Sequence, residues 1–209
     1  MVTDNEDIGE LLDQIAQKKP DIVEFRLDTL SDFSTVEKIS KLKQYPAIAT
    51  IKSKRDNSKK FLLGAASSGF EFVDVDLTSS RASDIVKALK GAGTEVIVSF
   101  HDYSKTPKRN ELRRILKAEI KAGGDVAKIV TTAVHGVDNL EVLNLLKDKP
   151  ANSRLVTFAM GRHGIPSRIL SPLFGAEFTF ASLNEFSKTA DGQLTIDNLR
   201  SAWQLLGVQ

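Results

Sequence analysis

The chain has 209 residues with 29 basic and 27 acidic side chains, a net charge of +2, so no bulk field favours nucleic acid or an anionic membrane. It contains no cysteine, which excludes disulfides, thiol nucleophiles and thiolate metal sites and fits a cytoplasmic location. The acidic, polar start and the lack of any apolar run near the roughly 18 residues of a spanning helix argue against a signal peptide or membrane segment.

The first element expected is a very short strand at Met1 to Thr3. Ile8, Leu11, Leu12 and Ile15 then recur at helical spacing between Glu6 and Lys18, and Lys18, Lys19 and Pro20 supply the charge and breaker that end a helix. Asp21 to Arg26 reads as a strand, Ser34 to Gln44 as a helix, Ala47 to Lys52 as a strand and Lys59 to Gly69 as a weaker helix. The next expectations are a strand at Glu71 to Asp76, a helix at Ser83 to Lys90 and a strand at Glu95 to His101. Pro107 to Ala122 forms a long helix, Asp125 to Thr131 a strand and Val137 to Lys147 a helix. A strand at Arg154 to Met160, a helix at Ser167 to Phe174, a strand at Ala176 to Phe180 and a helix at Ile196 to Leu206 complete the chain.

The strand-helix unit repeats about every 25 residues, with connections short enough to force parallel strands and right-handed crossovers. Counting the stub at the start gives eight units. The expectation is a single domain over residues 1–209, an α/β (β/α)8 TIM barrel with an abbreviated first strand. An open doubly wound sheet is the alternative if that first strand does not form. No glycine-rich fingerprint follows the early strands, so no dinucleotide cofactor is expected. The three histidines, His101, His135 and His163, are scattered without paired metal-ligand spacing, and no metal is expected either.

On a parallel barrel the chemistry belongs at the C-terminal ends of the strands, and the unusual polar residues fall there. Glu24 and Arg26 end the second strand, Lys52 the third, Asp74 and Asp76 the fourth and His101 the fifth, while Lys128 lies inside the sixth. Each has a bland reading. Asp74 and Asp76 suit a strand meeting water, Glu24 and Arg26 an internal ion pair, and the Lys52, Lys54, Arg55, Lys59, Lys60 group a solvated loop. Lys128 stands out, because Val126, Ile129 and Val130 surround it and an ammonium is costly to strip of water. A desolvated lysine gives up its proton more readily and offers the amine that forms imines with carbonyl compounds. An imine acidifies the neighbouring carbon, and His101 on the preceding strand is a suitable base. Arg168, past the seventh strand, is suited to grip a carboxylate bidentately. Together these residues point to cofactor-free, imine-forming lyase or aldolase chemistry on an anionic keto compound.

The chain resembles the type I 3-dehydroquinate dehydratases over essentially its whole length. The resemblance rests on Val23-Glu24-Phe25-Arg26-Leu27-Asp28, Ala49-Thr50-Ile51-Lys52, Val98-Ser99-Phe100-His101-Asp102-Tyr103, Val126-Ala127-Lys128-Ile129, Met160-Gly161 with Ser167-Arg168, and Ala190-Asp191-Gly192-Gln193. It implies that Lys128 forms an imine with the ketone of 3-dehydroquinate and that His101 acts as general acid and base. It implies further that Asp56 orients the histidine, that Arg168 and Gln193 bind the carboxylate end with Thr189 close by, and that Glu24, Arg26 and Lys52 contact ring hydroxyls or shape the pocket. Lys52 stands where arginine is usual, Asp56 where glutamate is, Asn57 where glycine is and Thr189 where serine is. The resemblance also implies a homodimer working without cofactor, and the loop Ser187 to Gln193 reads either as a mobile lid or as an ordinary surface loop. Two other readings of the residues stay open: a lysine-imine aldolase, and a metabolite-binding barrel without catalysis.

Overall fold

Residues 7–28, 30, 32–52 and 58–208 are described by the computed structural model. The chain divides into two compact units, Met1–Val98 with Ala122–Gly124, and Ser99–Lys121 with Asp125–Gln209. Strand and helix alternate in both, as the sequence period requires, giving an α/β fold with six strands among the described residues.

In the first unit, α1 (Ile8–Lys18) buries Ile8, Leu12 and Ile15, one apolar stripe of a 3.6-residue period. Asp7 caps it by accepting from the N–H groups of Gly9 and Glu10, and Lys19 closes it in the left-handed region at φ 46°. The strands β1 (Val23–Arg26), β2 (Ala47–Thr50) and β3 (Phe72–Asp76) follow one another in the sheet, parallel, with Phe25 beside Ala49 and Thr50 beside Asp74. All four β2 residues are buried, the pattern of a parallel strand covered on both faces. The covering helices are α2 (Ser34–Leu42), α3 (Ser58–Ser67) and α4 (Ala82–Gly91). The strand β4 (Glu95–His101) begins in this unit, where the Glu95 N–H donates to Glu71 O at 3.0 Å.

In the second unit, Asp102 N–H, one residue past the end of β4, donates to Val130 O at 2.9 Å, which sets the end of β4 beside β5 (Val126–Thr132). The partner of β5 on its other side is β6 (Arg154–Met160), parallel along its full length, with Lys128 beside Val156 and Val130 beside Phe158. The helices α5 (Arg109–Lys121), α6 (Asp138–Asp148), α7 (Ile165–Leu170) and α8 (Ile196–Leu205) complete the unit.

Element boundaries match the sequence reading within a few residues, with two differences. The helix expected at Ser167–Phe174 is split into α7 and a 3-10 turn at Pro172–Phe174, because a proline has no N–H to continue the ladder. The strand expected at Ala176–Phe180 does not form. Glu177 N–H donates to Leu155 O at 2.9 Å, the first rung of a ladder beside β6, but no strand follows, and Phe178 and Phe180 instead pack edge to face at 5.6 Å. The strand expected at Met1–Thr3 lies outside the described residues. Among the described residues no helix is long and apolar enough to cross a membrane.

Candidate active site

The register of the second unit places the key side chains. The Asp102 to Val130 hydrogen bond aligns His101 with Val130, two residues beyond Lys128 on β5. Side chains of parallel neighbours in register point to the same face, and residues two apart on a strand share a face. His101 and Lys128 therefore project from one face of the sheet, their Cα atoms about 8 Å apart for strands about 4.8 Å apart and a two-residue offset. The β5–β6 register adds Phe158 and Met160 to that face through Val130 and Thr132.

Lys128 is 4% exposed. Its Nζ lies 4.1 Å from the centroid of the Phe180 ring, on a face whose quadrupole attracts a cation. His101 stacks on Tyr103, with centroids 5.8 Å apart and planes 15° from parallel. The strand end carrying His101 is tied down by its neighbours. Asp102 Oδ1 accepts from Ser104 N–H at 2.9 Å, Ser104 Oγ at 2.7 Å and Lys105 N–H at 3.0 Å, while Thr132 Oγ1 donates to Asp102 O at 2.9 Å. Burial pushes the Asp102 carboxyl up, but these hydrogen bonds outweigh it and hold the group below its ordinary value.

Arg168 leaves α7 2% exposed, with its guanidinium carbon 4.4 Å from the centroid of Phe158. Its Nε has no hydrogen-bond partner among the described residues. Burial lowers the guanidinium well below its ordinary value, to about 10, against a weaker upward pull from Asp191. A buried cation with an open donor is a built receptor for an anion.

Gln193 is buried, and its Oε1 accepts from Thr189 N–H at 2.8 Å and Thr189 Oγ1 at 3.3 Å. The backbone donor fixes the amide orientation, so Nε2 is the end left to donate to a ligand. The loop holding both residues docks on the backbone that follows β6, where Gly161 N–H donates to Asp191 O at 3.0 Å. A Cβ on Gly192, at φ 71°, would stand 2.2 Å from Gly161 O, so only glycine permits this approach.

Glu24, Arg26 and Lys52 lie together in the first unit, engaged with other polar groups. Thr50 Oγ1 donates to Glu24 Oε1 at 2.9 Å, Arg26 pairs with Asp28 at 2.7 Å, and Lys52 Nζ pairs with the buried Asp74 at 2.7 Å. The Lys52 N–H also donates to Asp28 at 2.7 Å. Asp76 accepts from Thr78 N–H and Oγ1 in a turn, in line with its bland reading. Asp56, expected to orient the histidine, lies outside the described residues. His135, in a loop, and His163, in the 3-10 turn Arg162–Gly164, are both exposed, and the described residues contain no group of acidic or histidine side chains able to hold a metal. Sequence reasoning missed Phe158 and Phe180. Their signal was an aromatic two residues before Met160 and the alternation Phe178, Phe180, which reads as ordinary core packing.

A family description, type I 3-dehydroquinase, matches residues 1–209. A 3-dehydroquinate dehydratase of Methanococcus maripaludis is 37% identical over 202 residues, covering 91% of this chain and 90% of that protein. The one from Methanocaldococcus jannaschii is 34% identical over 200 residues, covering 90% and 89%. The crystal structure of 3-dehydroquinate dehydratase from Geobacillus kaustophilus superposes with a TM-score of 0.86 at 24% identity, covering 97% of this chain and 88% of that one. The fold is thus that of an α/β lyase family, and the chain belongs to the type I 3-dehydroquinases.

Proposed function

We propose that this chain carries out its family's reaction through an imine on Lys128, with His101 as the acid-base group. The activity is that of a 3-dehydroquinate dehydratase, a hydro-lyase of the shikimate pathway. The observation that carries the imine reading is a lysine 4% exposed, on the sheet face it shares with His101. The Lys128 amine adds to the C3 ketone and the carbinolamine loses water to give an iminium. His101 takes the C2 proton, the electron pair runs into the iminium to make an enamine, and the enamine expels the C1 hydroxyl, which leaves as water with the proton His101 returns. Hydrolysis of the conjugated iminium restores the amine and releases 3-dehydroshikimate, so one water is lost overall.

Arg168 and the Gln193 amide bind the carboxylate, with Thr189 holding Gln193 in place; Glu24, Arg26 and Lys52 keep the substrate-binding roles that the resemblance gives them, and Asp56 its role beside the histidine. The reading includes a single (β/α)8 catalytic domain, supported by the likeness to the Geobacillus fold, that works in the cytoplasm as a homodimer without a cofactor. Borohydride reduction in the presence of 3-dehydroquinate tests the chemistry. Mass mapping is expected to find the ligand on Lys128, with activity abolished; an unmodified Lys128 refutes the imine. Retention of every ligand carbon in one dehydrated product separates dehydration from an aldol cleavage.

A further inference from the structure

Arg168 springs from a helix of six residues, too short to hold itself in water. Its Nε has no acceptor among the described residues, so the direction of its guanidinium is set by the helix backbone and by the Phe158 ring beneath it. What fixes that helix is a side chain on α6. Asn139 is 4% exposed, and its Oδ1 accepts from Ser167 N–H at 3.0 Å, the residue directly before Arg168. Its Nδ2 donates to Gly136 O and His163 O, both at 2.7 Å. One amide thus ties together the loop after β5, the turn that follows β6 and the first turn of α7, with three of its hydrogen-bonding positions in use.

The Ser167 hydroxyl locks the same helix end onto β6. It accepts from Ala159 N–H at 2.9 Å and donates to Gly164 O at 2.8 Å. At the other end Trp203 Nε1–H donates to Ile169 O at 2.8 Å. No other residue type reproduces the Asn139 arrangement. Aspartate keeps the acceptor but turns a charged oxygen toward two carbonyls, and alanine removes the donor to His163 O, the side-chain donor to Gly136 O and the acceptor of the buried Ser167 N–H.

We infer that Asn139 is a positioning residue for carboxylate recognition, acting through Arg168 by holding α7 in register with β5 and β6. This rests on the reading that Arg168 takes the substrate carboxylate. The test uses quinate, which has the ring and carboxylate but no ketone, so that imine chemistry does not enter. Calorimetry compares wild type, Asn139→Ala, Arg168→Met and the double variant, with the near-ultraviolet dichroism of Trp203 as the check on folding. Asn139→Ala is expected to weaken quinate about tenfold in the wild-type background and less than about twofold once Arg168 is gone. Wild-type affinity in Asn139→Ala, or the same loss in both backgrounds, overturns the inference. Wild-type affinity in Arg168→Met instead marks failure of the carboxylate reading, and the inference falls with it. If Asn139→Ala does not fold, Asn139→Asp, which keeps the acceptor for the Ser167 N–H and removes both side-chain donors, is taken through the same cycle with the same expected outcome.

Discussion

Lys52 and Arg26 of the first unit each have a carboxylate partner at 2.7 Å, whereas Lys128 and Arg168 of the second rest on the faces of Phe180 and Phe158. Both arrangements shelter a cation from water, but they leave different chemistry behind. A carboxylate takes up N–H donors and neutralises the charge it holds. An aromatic face attracts the charge without accepting a conventional hydrogen bond, and beside Phe158 the Arg168 Nε keeps an unmatched donor. The Phe158 and Phe180 rings lie 6.1 Å apart, so the two cations sit on adjoining aromatic seats. On the proposed reading, Lys128 carries the imine and Arg168 takes the carboxylate.

The largest effect is expected at Lys128. Lys128→Ala should lose the covalent adduct entirely and at least about 10⁴-fold of the turnover. An adduct surviving on another residue would break the contrast between the units. His101→Ala should lower kcat by about 10²- to 10⁴-fold while borohydride still traps some imine, because attack by the amine precedes the proton transfer. Wild-type turnover in that variant would end the acid-base assignment.

Stability separates the two kinds of cation next. Lys52→Met leaves Asp74, whose side chain is fully buried, without this partner and should cost about 3 kcal/mol in urea unfolding. Arg168→Met, by contrast, removes a buried charge and should unfold at the same or a higher temperature while binding quinate about 100-fold more weakly. Equal destabilisation by both substitutions would remove the distinction. Gly192→Ala forces a Cβ to within 2.2 Å of Gly161 O and should cost roughly 2 kcal/mol, with a rise in KM as Gln193 and Thr189 shift.

The pH dependence is the smallest effect and the sharpest in sign. Burial lowers Arg168 from its ordinary value to about 10, so the unfolded chain binds this proton more tightly than the folded one. The cost of the buried charge is present in full below about pH 10 and is relieved as pH rises from about 10 towards the ordinary arginine range. Anion binding runs the other way, since the neutral group has lost the charge that attracts a carboxylate. Quinate affinity should therefore fall above about pH 10, and the Arg168→Met variant should lack that limb. A limb that persists without Arg168 assigns it to another group.

His101 and Lys128 were legible in the sequence for a simple reason: a histidine closing an apolar strand and a lysine inside the next are anomalies a local pattern can show. Arg168 was legible only as a residue type suited to carboxylates. Its burial and its open Nε depend on β6 and Phe158, which no local window contains. Ala176–Phe180 has the composition of a strand and is not one, because a ladder needs a partner in register and only Glu177 finds it. Asn139 was invisible for the opposite reason. An asparagine in the first turn of a helix reads as solvated, and nothing nearby in sequence announces Ser167 28 residues on.

Strand and helix periods, the parallel order they impose and the two anomalous polar side chains at strand positions were determined by sequence alone, since each depends on spacing within about ten residues. Which ring lies under which cation, which amide ties α7 to its neighbours and which arginine is left with an open donor were decided by tertiary structure. Those facts depend on faces meeting across the fold, where burial, not local spacing, sets the cost of every polar group.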